Sequence, residues 1–191
     1  YSRSQFVRPM KDKKAKIFTE EFFPQIEALN NFAYHLTYNQ SDAEDLVQET
    51  FLKAYRFIDK YDEGTNAKAW LFRILKNAFI NEYRKKSKAP QAVDIDQANL
   101  LKDEDEKAFK GFHDLREEMF QNMMGDEITN AINTLQEDFR TVILLCDVED
   151  FTYEEIATIL EIPIGTVRSR LHRARNLLRE KLRNYASSKG Y

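Results

Sequence analysis

The chain has 191 residues, with 29 lysines and arginines against 32 aspartates and glutamates, a formal net charge of −3 and 32% charged residues. A single cysteine, Cys146, excludes an internal disulfide framework, and the three histidines stand far apart with no zinc-like spacing. No stretch reads as a signal peptide or as an apolar run long enough to cross a bilayer, so a cytoplasmic protein is expected.

Hydrophobic residues make up 42% of the chain, glycine and proline are scarce, and apolar spacing is helical nearly throughout. This predicts an all-α protein with two modest cores exposing much surface, rather than one globule. No nucleophile or metal constellation is present, so neither an enzyme nor a cofactor is expected.

The residues up to about Lys16 are polar, basic and unpatterned. Ile17 to Tyr38 reads as a helix that Pro24 kinks or opens, with Ile26, Leu29, Ala33 and Leu36 as its buried stripe and Phe32 beside it. Ser41 and Glu44 have the spacing of a capping box and predict a helix from Asp42 to about Ile58. Ala43, Leu46, Val47, Phe51, Ala54 and Ile58 form its apolar side. Asp45, Gln48, Glu49, Lys53 and Arg56 lie on its other faces. Taken alone, these polar residues are a solvated face; a glutamine between carboxylates can also offer directed hydrogen bonds to a basic partner.

Lys60 to Ala67 reads as a short loop turning at Gly64. A helix follows from about Lys68 to Arg84, its apolar side formed by Trp70, Leu71, Ile74, Leu75, Ala78 and Phe79. Arg73, Lys76, Asn77, Asn81 and Arg84 are expected on its exposed side, a set suited to a phosphate backbone and exposed base edges or simply to solubility. Trp70 reads as a core anchor. From Ser87 to about Asp105 the pattern lapses into a linker, after which Phe109, Phe112, Leu115, Met119 and Phe120 recur at roughly helical spacing.

From Asp126 the periodicity returns. Ile128, Ala131, Ile132 and Leu135 mark one helix, and Phe139, Val142, Ile143, Leu145 and Cys146 mark the next. Thr152 and Glu155 form a capping box opening a short helix with Ile156, Ala157 and Leu160 inside. Glu161 to Gly165 forms a turn, with Pro163 placed as a first-turn residue of a last helix running through Arg183. A short helix, a tight turn and a long basic helix make a helix-turn-helix. At about 100° per residue, Val167, Leu171, Ala174 and Leu178 face inward. Ser169, His172 and Asn176 face outward, flanked by Arg168 and Arg173; Arg170, Arg175 and Arg179 are nearer the flanks, at phosphate-contact positions.

Charge is segregated along the chain. Lys68 to Lys88 and Thr166 to Arg183 are basic blocks, whereas Asp94 to Glu127 is predominantly acidic. Two polyanion-binding surfaces joined by an acidic connector fit this pattern. Two readings remain at this point. One is a helix-turn-helix transcription regulator whose N-terminal half senses a signal or dimerises; the other requires the N-terminal half to bind DNA and a protein partner as well.

Asp42-Ala43-Glu44-Asp45-Leu46-Val47-Gln48-Glu49-Thr50-Phe51, followed by Trp70-Leu71-Phe72-Arg73-Ile74 and Asn77, resembles the sigma-two domain of bacterial sigma factors. Tyr153-Glu154-Glu155-Ile156-Ala157, with Gly165-Thr166-Val167-Arg168-Ser169-Arg170-Leu171-His172-Arg173-Ala174-Arg175, resembles their sigma-four domain. A chain with these two domains alone resembles the extracytoplasmic-function sigma factors. The resemblance implies a sigma-two-like domain at 17–88, an acidic linker at 89–125 and a sigma-four-like domain at 126–186. It implies core RNA polymerase and promoter DNA as partners, an anti-sigma factor as a candidate regulator, and a monomer when free. By residue, it places Asp45, Gln48, Glu49 and Lys53 against core polymerase. Asp62, Gly64, Asn66, Lys76, Asn77, Asn81 and Arg84 fall at the −10 element, and Arg168, Ser169, His172, Arg173 and Arg175 at the −35 element. The fit departs at Leu135-Gln136, where the family often has Leu-Pro, and in the aromatic–methionine cluster of the connector.

Overall fold

The computed structural model describes residues 13–86 and 125–190, which belong to two compact units, each with its own core. Among the described residues every regular element is helical, as the apolar spacing predicts. The connector and its aromatic–methionine segment lie outside the described residues, as do the first twelve.

The first unit opens with a helical lead-in at 13–17, a π turn at Phe18–Phe22 and a 3-10 turn at Phe23–Gln25. Three α-helices follow: α1 (Ile26–Thr37), α2 (Gln40–Arg56) and α3 (Ala67–Lys86). Pro24 sits in the 3-10 turn, and that tighter turn resets the helical phase before α1 begins. The buried stripe of α1 is therefore Leu29, Phe32, Ala33 and Leu36, while Ile26, expected inside, is 45% exposed.

α1 ends at Tyr38, a non-glycine residue in the left-handed region at φ 55°, which leaves Asn39 extended. Asn39 then caps α2, its side-chain oxygen accepting the Asp42 N–H at 3.0 Å. This displaces the expected Ser41/Glu44 capping box. The helix starts one residue earlier than Ser41, and Glu44 instead accepts from the Gln40 side chain at 2.8 Å. Ala43, Leu46, Val47 and Ala54 are buried as predicted, and Thr50 joins them by returning its hydroxyl to the Leu46 carbonyl at 2.7 Å.

Asn66 caps α3 by accepting the Ala69 N–H at 2.9 Å. Leu71, Leu75, Ala78 and Phe79 face the core with Phe72, whose fully buried ring stacks on Phe32 at 5.0 Å between centroids. Trp70 stacks on Phe22 at 5.4 Å, the anchoring role expected of it. Burying aromatic side chains of this size contributes about 2–3 kcal/mol each.

The second unit contains α4 (Gly125–Asn133), α5 (Glu137–Ile143) running into a π turn at Leu144–Val148, α6 (Tyr153–Leu160) and α7 (Ile164–Lys189). Between α4 and α5 the buried Arg140 reaches back to donate from Nη1 to the Leu135 carbonyl at 3.0 Å. The α6 capping box forms as predicted: Thr152 N–H donates to Glu155 at 2.9 Å, and Glu155 N–H donates to Thr152 Oγ1 at 3.2 Å. Within α6, Ile156 and Ile159 carry the burial, whereas Ala157 and Leu160 are only half-buried. Glu161 closes α6 in the left-handed region at φ 56°, and Pro163 is the N-cap of α7 rather than a residue of its first turn. Val167, Leu171, Ala174 and Leu178 are all buried, and Leu182 extends the stripe by one more turn.

Candidate nucleic-acid and protein-docking surfaces

Three surfaces carry the residues singled out by sequence. On α2, Asp45 and Gln48 are exposed and point away from the core stripe. Glu49 and Lys53 are half-buried and pair with each other at 3.2 Å, an (i, i+4) bridge of the kind worth a few tenths of a kcal/mol. A pair that weak can be exchanged for a partner's charges at little cost. Leu52 and Tyr55 are exposed on the same helix, so its outward side mixes polar and apolar groups.

The second surface is the loop between α2 and α3 with the outward side of α3. Asp62 and Gly64 are exposed, and Gly64 takes φ 79°, a left-handed conformation that glycine adopts without strain. Within the loop, Thr65 donates both its hydroxyl (2.6 Å) and its N–H (3.2 Å) to the Asp62 carbonyl. Asn66 is exposed, but its side-chain oxygen is engaged in capping α3. Asn81 and Arg73 are exposed and Asn77 is half-buried; Arg84 lies on α3 with its side chain outside the described residues.

Lys76 departs from the expectation that it faces outward. It is 6% exposed, four residues after the buried Phe72, and its ammonium lies over the Phe79 ring at 5.4 Å. The buried stripe of α3 is one residue wider than its apolar residues alone indicate, and the lysine stem fills the added width. Lys76 is therefore a buried residue of α3 and not part of its exposed side.

The third surface is α7. Arg168 and Arg173 are exposed, as the helical phase predicts. Ser169 is half-buried and donates to the Thr166 carbonyl at 3.1 Å. His172 lies within 3.1 Å of the Asn176 amide, and Arg179 donates to the Asn176 oxygen at 3.3 Å, so these outward groups are ordered along the helix. Arg170 pairs with Asp138 at 3.2 Å.

Arg175 is a second correction. Its guanidinium grips Asp147 through Nη2 (2.9 Å) and Nε (3.3 Å), and the two side chains are only 13% and 14% exposed. Cys146 Sγ and the Tyr153 hydroxyl complete the surroundings at 3.5 Å each. Burial alone would depress the guanidinium, but the hydrogen bonds and charge of Asp147 outweigh it and hold Arg175 above the ordinary arginine value. Arg175 thus ties α7 to the π turn after α5, with its guanidinium engaged by Asp147.

Sequence reasoning missed Asp138 and Asp147 as the partners of these arginines. It also missed Glu21, whose carboxylate receives the Tyr61 hydroxyl and the Gly64 N–H from the loop. No local spacing signals pairs so far apart in the chain. Among the described residues, no group of three His, Cys, Asp or Glu could hold a metal, and no helix is long and apolar enough to cross a membrane.

One chain thus carries a helix-turn-helix with an exposed arginine edge and a separate helical unit with a polar loop and a carboxylate–amide face, the features of a two-part DNA-binding protein. Comparison with known proteins makes this specific. The family model for Sigma-70 region 2 matches residues 27–89, and that for Sigma-70, region 4 matches residues 125–178. The chain is 33% identical to the ECF RNA polymerase sigma factor EcfG of Rhodopseudomonas palustris over 83% of its own length and 81% of that protein. It is 37% identical to the ECF RNA polymerase sigma factor SigE of Mycolicibacterium smegmatis over 81% of its own length, and spans 57% of that relative. Among solved structures, the sigma factor RpoE of Bartonella quintana, in complex with the anti-sigma factor NepR, superimposes with a TM-score of 0.65 at 33% identity, covering 88% of this chain and 98% of that one. The chain belongs to the ECF sigma factors of bacterial RNA polymerase, the family that its motifs resemble. The region 2 match also weighs against the rival reading, because a regulator with a sensing N-terminal half gives no account of it.

Proposed function

We propose that this chain directs promoter-specific initiation by dividing the work among the three surfaces. Asp45, Gln48 and Glu49 on α2, with Lys53 released from Glu49, dock on core polymerase. The loop around Asp62, Gly64 and Asn66, with Asn77, Asn81 and Arg84 on α3, engages the −10 element as it melts. Arg168, Ser169, His172 and Arg173 on α7 read the −35 element, and the partners of Arg175 hold that helix in place. The observation that carries this reading is the exposed Asp45–Gln48 edge on a helix whose opposite side is fully committed to the core.

The energetics agree with such a division. Flipping a base from the stack costs a few kcal/mol, which a basic helix and a polar loop can offset. One helix-turn-helix binds duplex weakly on its own, and tethering two sites to one large enzyme raises the effective concentration of each. By analogy with the Bartonella protein solved with NepR, an anti-sigma factor is a further candidate partner of this chain.

The test is a double substitution, Gln48→Lys with Glu49→Lys, which places two positive charges on that edge. A well-folded double variant should lose core polymerase in a pull-down and lose promoter-dependent transcription, while keeping its helical ellipticity. Normal capture of core by that variant would sink the docking assignment.

A further inference from the structure

The loop from Tyr61 to Ala67 has few ties of its own. Its internal hydrogen bonds run between near neighbours: Thr65 to Asp62, Ala67 to Thr65, and the Tyr61 hydroxyl to the Thr65 carbonyl at 3.3 Å. Its ends are anchored by the Tyr61 ring and by Asn66 at the start of α3, and its apex is tied to the lead-in by one carboxylate from the π turn. Glu21 accepts the Tyr61 hydroxyl, at the base of the loop, and the Gly64 N–H, at its apex, with Gly64 N 3.1 and 3.3 Å from the two oxygens. Tyr61 is itself held in the core, its ring 5.1 Å from both Phe22 and Trp70. The other ties from the lead-in, Lys13 to Glu63 at 3.3 Å and Lys14 to Asp59 at 3.2 Å, each involve at least one well-exposed side chain. Exposed pairs of that kind fix little.

A carboxylate suits this position because it only accepts, and the loop offers it two donors from groups three residues apart. The Gly64 conformation belongs to the same device: the N–H meets the carboxylate from a backbone at φ 79°. Burial and the hydrogen bond to Glu21 push the Tyr61 phenol up to about 12, so it stays a donor at any working pH.

We propose that Glu21 is a positioning residue for base reading at the −10 element, setting the loop apex against the core so that Asp62 and its neighbours meet an extruded base in one fixed arrangement. This rests on the loop's role proposed above. Glu21 touches no nucleotide in this scheme; it acts by removing loop conformations that would accept the wrong base or none.

The experiment uses holoenzyme reconstituted from core polymerase and the full chain, with fluorescent single-stranded −10 oligonucleotides carrying each of the four bases at every position. With Glu21→Ala, the preference for the favoured base at the loop-contacted position should fall about tenfold, on the scale of one lost charge-assisted hydrogen bond. Core affinity should not change. Glu21→Gln, which keeps an acceptor for the Gly64 N–H and a polar partner for Tyr61, should stay within about threefold of the parent chain. Should the alanine variant fold poorly, Tyr61→Phe keeps the ring and removes one of the two ties, and must then lower the base preference. A uniform weakening for all four bases in Glu21→Ala, or an undiminished preference, would overturn the proposal. Asp62→Ala separates the two levels of the argument. If it changes base preference while Glu21→Ala does not, the positioning role alone falls; if neither does, the loop is not the base reader and both fall.

Discussion

Replacing Arg175 by alanine distinguishes a structural arginine from a DNA contact on the helix proposed to read the −35 element. The bidentate grip on Asp147 is nearly enclosed, with the two side chains 13% and 14% exposed. Truncation leaves the Asp147 carboxylate without its principal partner in a site poor in water. Breaking a fully buried pair costs 3–5 kcal/mol, and the slight solvent access here places the loss near the lower end, at about 3 kcal/mol. For a unit of this size, that corresponds to a fall in Tm on the order of 10–20 °C. The chain supplies a convenient internal control. Its single tryptophan, Trp70, lies in the first unit, so its fluorescence follows that unit, whereas far-UV ellipticity follows both. Arg175→Ala should shift the ellipticity transition and leave the tryptophan transition in place, and Asp147→Ala should do the same. Binding of the −35 duplex, measured at a temperature where the variants are folded, should keep the parent's dependence on salt. If Arg175→Ala is as stable as the parent and its log–log salt slope falls by about one unit, the arginine contacts a phosphate and the reasoning fails.

Two further outcomes follow from the first unit. Lys76→Ala should destabilise it by about 1–2 kcal/mol through lost packing of the buried stem, as read by Trp70 fluorescence in urea, and should leave the salt dependence of −10 strand binding unchanged. A reduced salt slope with unchanged stability would return Lys76 to the DNA-facing set. The Tyr61 phenol, raised from its ordinary value of 10 to about 12 by burial and by Glu21, favours the protonated form in the folded state. Its contribution to stability is therefore complete below pH 10 and is lost as pH rises from there through about 12. Tyrosinate absorbance should show one phenol ionising late in that window, and Glu21→Ala should bring it earlier; a titration identical in the two chains would refute the linkage.

Periodicity made much of this architecture readable. Val167, Leu171, Ala174 and Leu178 sit in one stripe because a single helix register buries all four, and Thr152 with Glu155 marks a helix start by chemistry that is local in sequence. Errors arose where a neighbour changed the register. Ile26 lost its place in the core because a 3-10 turn precedes it, and Ser41 lost its capping role because the left-handed Tyr38 hands that role to Asn39. Lys76 shows another limit, since a stripe one residue wider can take in a lysine whose charge argues for the surface. Pairs such as Arg175 with Asp147 and Tyr61 with Glu21 are separated by 28 and 40 residues and leave no periodic trace. They depend on which helices the fold brings side by side, which no window along the chain contains.

The short turn before α5 is restrained from a distance of one helical turn. The carbonyl of Leu135 and the nitrogen of Gln136 belong to one planar peptide unit, so the Arg140 guanidinium that holds the carbonyl at 3.0 Å also orients the bond leading into Gln136. Gln136 stands at φ −58°, ψ 150°, and that φ is the one a proline ring would impose. A proline at 136 would fix the rotation just after that peptide, whereas Arg140 holds the peptide itself through its carbonyl, so the two restraints act on adjacent bonds of one turn.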